Sequence, residues 1–244
     1  MPRIQPARLG FLYPGHAAED DFPLMGTMIE PPAEVHLVHT GFLEDAHTVE
    51  ALSEMGSVSR LLQGATSLEG FGIESVMWTS TSASFVLGLD GIRQQIDALE
   101  KQLGVPASTT AMAFARAVKA VDAKRVAIAA TYPEDVALLF CQFLNHFDID
   151  VVHHSSRGIV TAVEVGTLGK EDVIELAFQN TPREVDALLI PDTALHSVAW
   201  LAELEEITDT TVLTANQVSF WEALRLCGKL TPQPRLGTLF EEIP

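Results

Sequence analysis

ESVMWTSTSASF, residues Glu74 to Phe85, reads as a buried strand, Ser75 to Trp78, that runs directly into a cluster of small residues. Thr79, Ser80, Thr81 and Ser82 carry hydroxyls, Ala83 follows, and a helical pattern begins there. Small hydroxyl residues at the carboxyl end of a parallel strand suit an anion site. The backbone can approach a ligand closely, and O–H groups with the unpaired N–H groups of the next helix can hold a carboxylate. The plainer reading is a Ser/Thr helix cap. What favours the anion site is a second copy of the arrangement later in the chain.

Working outward, the chain alternates strands and helices. Arg8 to Tyr13 is a short apolar strand ending in Tyr13-Pro14-Gly15, with the acidic Glu19-Asp20-Asp21 next, read as a solvated loop. Val35 to His39 is a strand, and Ala46 to Leu68 has helical spacing interrupted near Gly56. Gly91 to Leu103 is an amphipathic helix stopped by Gly104. The pattern restarts at the strand Arg125 to Thr131, which ends in Tyr132-Pro133 before Glu134-Asp135. Asp186 to Ile190 is a strand that runs into Pro191-Asp192-Thr193-Ala194, and Thr211 to Leu213 runs into Thr214-Ala215-Asn216. Tyr13-Pro14 matches Tyr132-Pro133, Ser80-Thr81-Ser82 matches Pro191-Asp192-Thr193, and Ser108-Thr109-Thr110 matches Thr214-Ala215-Asn216.

A repeat of about 110 residues is a duplicated domain rather than a solenoid. The expected fold class is therefore α/β: two pseudo-symmetric parallel-sheet halves with the site in the cleft between them. The divisions expected are 1–117, 118–215, and a C-terminal helix and tail over 216–244 that packs back on the first half. Leu230 to Pro244 reads as a tail lying on a surface or reaching a neighbouring subunit, as a homo-oligomer would use it.

The net charge of −18 disfavours nucleic acid and anionic membranes, which need basic patches. No apolar run reaches the roughly 18 residues of a membrane span, and the cytoplasm is the expected location. Cys141 and Cys227 lie in apolar helical patterns and read as buried, inert thiols. His153 and His154 point to opposite faces of a strand, as do His36 and His39, and His196 packs or caps one helical turn past Asp192. No set of residues has metal-ligand spacing along the sequence. No glycine-rich nucleotide loop is present either.

Six stretches carry a family resemblance: LYPG at Leu12 to Gly15, WTSTSASF at Trp78 to Phe85, ATYPEDV at Ala130 to Val136, SRGIVTAVEVG at Ser156 to Gly166, LLIPDTAL at Leu188 to Leu195, and ANQVSFWEALRL at Ala215 to Leu226. In order and spacing they resemble the aspartate/glutamate racemase superfamily, in its arylmalonate decarboxylase and maleate isomerase branch. Ectoine-utilisation-type members are similar too. The resemblance implies cofactor-independent chemistry through a carbanion or enediolate formed beside a carboxylate and stabilised by hydroxyls and backbone N–H groups.

The chain departs from the family pattern at both thiol positions. The first falls on Ser80 and the second on Asp192, or on Pro191 if the strand slips by one. A serine hydroxyl is a far weaker acid than a thiol of pKa roughly 8.5, which disfavours a two-thiol racemase. Asp192 is the ionisable residue of the two hydroxyl runs, and its expected role is to shuttle a proton; the alternative is a helix N-cap. The resemblance implies that Ser80, Asp192 and Tyr132 form the catalytic group. It implies substrate binding by Pro14, Gly15, Thr81, Ser82, Thr193 and Ala194, with no metal and no cofactor. The leading expectation is decarboxylation of a small substituted malonate, which needs one proton donor. The alternatives are a maleate-like cis–trans isomerase or racemase and, in a different class, a carboxylate-binding protein that has lost the chemistry.

Overall fold

A computed structural model describes residues 5–241. Strands β1 (Arg8–Tyr13), β2 (Glu34–His39), β3 (Ser75–Trp78) and β4 (Ala107–Thr109) form one parallel sheet in the order β2-β1-β3-β4. Strands β5 (Arg125–Ala130), β6 (Asp150–Ser156), β7 (Ala187–Ile190) and β8 (Thr211–Thr214) form a second in the order β6-β5-β7-β8. The same order built twice is the structural form of the internal repeat.

This topology determines where a site can lie. In each sheet the chain goes from the first strand to the edge and then crosses back to the opposite side. The crossing leaves a crevice outside the carboxyl ends of β1 and β3, and another outside those of β5 and β7. Pro14-Gly15 and Thr79–Ser82 emerge at the first crevice, Thr131-Tyr132 and Pro191–Ala194 at the second. The inner strands are buried on both faces, as helix-covered parallel strands must be, and β2 at the edge is half-exposed.

The larger core runs continuously through both halves. Phe140 is fully buried within it, its ring 5.3 Å from Phe85, 5.4 Å from Phe114 and 6.2 Å from Phe143. Phe140→Ala is expected to destabilise the fold by about 3–5 kcal/mol through lost burial and the cavity left behind, read as a lowered midpoint in chemical denaturation.

The helix Ala215–Leu226 lies against the first sheet although it follows the last strand of the second. Ser75 donates to the Ala223 carbonyl at 2.8 Å, and the hydroxyls of Thr110 and Ser219 are 2.7 Å apart. Its fully buried Glu222 pairs with Arg116 and Arg225, so that charge is not left uncompensated.

Three expectations need correction. The acidic segment is not a solvated loop: Asp21 is buried at the start of a helix, Asp21–Met28. Its carboxylate accepts from Asn216 Nδ2 at 3.0 Å and from the Ser197 N–H at 3.1 Å. Burial pushes the Asp21 carboxyl above its ordinary range, with those donors opposing.

The C-terminal stretch folds onto its own chain: Leu236, Leu239 and Phe240 are fully buried in two 3-10 turns, and Gln217 donates to the Leu236 carbonyl at 2.7 Å. Residues 242–244 of that stretch lie outside the described residues. The cysteines are half-buried rather than buried; burial pushes the Cys141 thiol up to about 11 and raises Cys227 as well. Among the described residues no helix is long and apolar enough to cross a membrane.

Candidate active site

Both crevices open on one cavity that is partly continuous with solvent. Ser80 and Ser82, from the end of β3, and Asp192, Thr193 and Ala194, from the end of β7, line it together with Pro14 and Gly15. Seven of the nine residues expected from sequence therefore share one space. Thr81 and Tyr132 are fully buried beside it and are not part of the lining.

Asp192 is fixed from two sides. The Thr131 hydroxyl donates to one carboxylate oxygen, and the Ala194 N–H donates to the other at 2.9 Å. No helix starts here: the chain makes a turn and reaches only the 3-10 turn Val198–Trp200, so the N-cap alternative fails. The bond to a backbone N–H two residues on is an Asx turn, which a short carboxylate side chain favours at a strand exit. Ser80, by contrast, does cap, weakly: its oxygen accepts from the Ala83 N–H at 3.3 Å at the single helical turn Ser82–Phe85.

The two tyrosines of the repeat have parted roles. Tyr13 crosses to the other half and donates to the Thr193 carbonyl at 2.9 Å, while its oxygen accepts from the Ala18 N–H at 3.1 Å. Tyr132 donates to the Pro191 carbonyl at 2.6 Å. In this structure its hydroxyl is thus directed at the backbone beside Asp192, where the resemblance implied a substrate carboxylate. Burial first, and the Asp192 charge second, hold the Tyr132 phenol well above its ordinary range; burial does the same to Tyr13. Both are neutral O–H donors at any physiological pH. The Thr81 hydroxyl is buried with no hydrogen-bond partner among the described residues.

A roof that sequence reading did not find closes the cavity. The Asp45 carboxylate, in the loop after β2, accepts from the N–H groups of Ala162 at 2.9 Å and Val163 at 3.1 Å. The His47 backbone N–H donates to the Val160 carbonyl at 2.6 Å. His47 Nδ1 lies 3.0 Å from the Ile159 carbonyl, and its ring sits edge-on to Tyr132 at 5.0 Å. A carbonyl only accepts, so Nδ1 carries the proton. Nε2 then has no partner among the described residues, on a side chain that lines the cavity. None of the described lining residues is Lys or Arg, so His16 and His47 are its basic side chains. Phe42, Leu52, Met55 and Val163 give the same cavity an apolar wall. Neither cysteine is among the lining residues.

His196 does not pack one turn down a helix; its Nε2 is 2.8 Å from Asp20, tying the loop after β7 to the other half. His16 and Glu19, from the loop after β1, meet His39 at the end of β2, with their ligand-capable atoms within 4.8 Å of one another. Sequence spacing offered no such set, because the strand register creates it by placing Tyr13 beside His39.

Two parallel α/β units that hold a carboxylate and several hydroxyls in one cavity between their strand ends have the aspartate/glutamate racemase-like fold. The chain belongs to the arylmalonate decarboxylase family, whose sequence profile matches residues 23–240, and is accordingly a lyase or isomerase of this superfamily. It is 28% identical over 190 residues to the arylmalonate decarboxylase of Bordetella bronchiseptica, covering 76% of this chain and 78% of that one. In fold it is similar to a variant of the maleate isomerase from Pseudomonas putida S16 solved with maleate (TM-score 0.88, 20% identity, 98% of both chains). It is also similar to a variant of the Nocardia farcinica maleate cis-trans isomerase with a covalently bound succinylcysteine intermediate (TM-score 0.87, 21% identity, 97% of this chain and 99% of that one).

Proposed function

We propose that this protein is a cofactor-independent decarboxylase of a small malonate carrying an apolar substituent. The observation that carries the reading is that Ser80, Ser82 and Asp192, from opposite halves, line one cavity with the apolar wall of Phe42, Leu52, Met55 and Val163. Polar groups at the strand ends suit two carboxylates, and the apolar side chains suit the substituent and the departing, uncharged CO2.

The chemistry follows from the substrate. Breaking the bond to one carboxylate releases CO2 and leaves its electron pair on the α carbon. The remaining carboxylate takes up that pair as an enediolate. Preorganised donors at the oxygens where charge grows stabilise this state most, by about 2.7–4 kcal/mol each where measured by mutation. Ser82, which lines the cavity, is the side-chain donor in this reading, and Thr81, fully buried beside it, is the second candidate if its hydroxyl turns toward the cavity on binding. Thr193 and Ala194, with Pro14 and Gly15, shape the wall for the carboxylate that leaves, and Ser80 and Tyr132 hold the geometry around them. Asp192 takes up a proton from solvent, delivers it to the α carbon to quench the carbanion, and returns to the carboxylate form. His47, with Nδ1 held by the Ile159 carbonyl, turns Nε2 toward the cavity, where it can donate to a substrate carboxylate when that nitrogen also carries a proton.

A maleate-like isomerisation is the alternative within the family. The thiol-free lining weighs against it, because a thioether adduct such as succinylcysteine requires a cysteine in the cavity. The test is to incubate the protein separately with phenylmalonate and maleate and follow both by NMR. Phenylmalonate converted to phenylacetate, with maleate unchanged, is the expected result. Turnover of maleate alone reverses the order of the two readings. If neither is converted but calorimetry detects binding of both, the protein is a carboxylate-binding one.

A further inference from the structure

We infer that His16, Glu19 and His39 form a binding site for a divalent transition-metal ion at the mouth of the cavity. The site goes beyond the proposed reaction and does not depend on it.

Three potential ligand atoms converge. His16 Nδ1 lies 3.0 Å and His39 Nε2 3.2 Å from the same atom, Glu19 Oε1. Around a metal with bonds of about 2.0–2.1 Å, neighbouring ligands in octahedral or tetrahedral arrays are separated by roughly 2.9–3.4 Å. Two of the three separations already fall in that range, and all three lie within 4.8 Å. Two imidazoles and one carboxylate are a donor set suited to zinc and its neighbours, and poorly suited to magnesium or calcium, which prefer oxygen alone.

The positions are fixed by the fold. Tyr13 and His39 are register partners on β1 and β2, so the loop leaving β1 starts beside His39. Glu19 Oε2 accepts from the Ala17 N–H at 2.7 Å, which turns Oε1 toward the imidazoles. The His39 ring sits edge-on to Tyr13, and the two imidazoles are 4.1 Å apart between centroids. A single metal ion can take one nitrogen from each of these two tilted rings together with the Glu19 oxygen.

One of the three side chains reaches both solvent and site: His16 is 80% exposed and also lines the cavity. An ion held there would place positive charge at the entrance to a space whose described lining has no Lys or Arg.

Calorimetric titration of the chelator-treated, full-length protein with zinc chloride tests the site without any substrate. One equivalent per chain is expected to bind, and His39→Ala and His16→Ala, each at a partly exposed position, should weaken it at least roughly tenfold. Even disturbing an outer partner of a metal ligand has an effect of that size. Cobalt titration should give visible ligand-field bands that His39→Ala removes. No saturable uptake, or uptake and cobalt bands unchanged in both variants, would overturn the inference. The NMR substrate assay on the same chelator-treated sample reads the proposed reaction separately.

Discussion

Asp192→Asn is expected to lower turnover of a substituted malonate by roughly 10²–10⁴-fold, the usual contribution of a positioned acid or base. The substitution is nearly isosteric. An amide oxygen can still accept from the Ala194 N–H, as the carboxylate does at 2.9 Å, and the Thr131 hydroxyl can rotate to suit the other amide position. The turn at the end of β7 should therefore survive, and circular dichroism and the denaturation midpoint serve as controls. What disappears is a group able to carry a proton to carbon. The steady-state rate should fall with little change in the apparent affinity for the diacid. Activity within a few-fold of the parent would remove Asp192 from the proton-transfer step and reduce it to the Asx turn that it also makes.

His47→Gln is expected to act on affinity. A hydrogen bond to a charged partner contributes about 1.5–3 kcal/mol, which at 1.36 kcal/mol per decade corresponds to roughly 10–100-fold in kcat/KM. Gln can replace the contact to the Ile159 carbonyl but cannot at the same time offer a second donor at the Nε2 position toward the cavity. The loss should thus fall mainly on KM for dicarboxylates and much less on kcat. A competitive monocarboxylate inhibitor, with one anionic group, should lose less affinity than a dicarboxylate. Should KM stay constant while kcat falls, His47 is acting on the chemical step instead, and the assignment of the carboxylate partner fails.

The two expectations differ in how they were found, and the difference is physical. Asp192 was legible in the sequence because it follows an apolar run with strand character, as the hydroxyls of Ser80 to Ser82 follow another. Both signals are local, and the repeat made each strengthen the other. His47 left no such trace. It lies in a loop without periodicity, and its importance comes from the Ile159 and Val160 carbonyls, over a hundred positions away. Asp45 was equally silent, because its partners are backbone N–H groups of the other half. Tyr13 and Tyr132 were visible as a matched pair, yet their hydroxyls go to different backbone carbonyls on the same turn, a break in symmetry that no internal comparison could predict.

By itself the sequence determined the strands, most of the helices, their duplication, and the short polar runs at strand ends, though not the helix Asp21–Met28. Those depend on the alternation of apolar and polar residues within a dozen positions, where chain connectivity holds the partners together. The tertiary structure alone decided which ends share a cavity, what roofs it, how the Tyr13 hydroxyl reaches a carbonyl 180 residues on, and that His39 stands beside the loop carrying His16 and Glu19. These depend on the register between strands and on two sheets closing on each other, and the energy of such contacts resides in pairs that the linear order keeps apart.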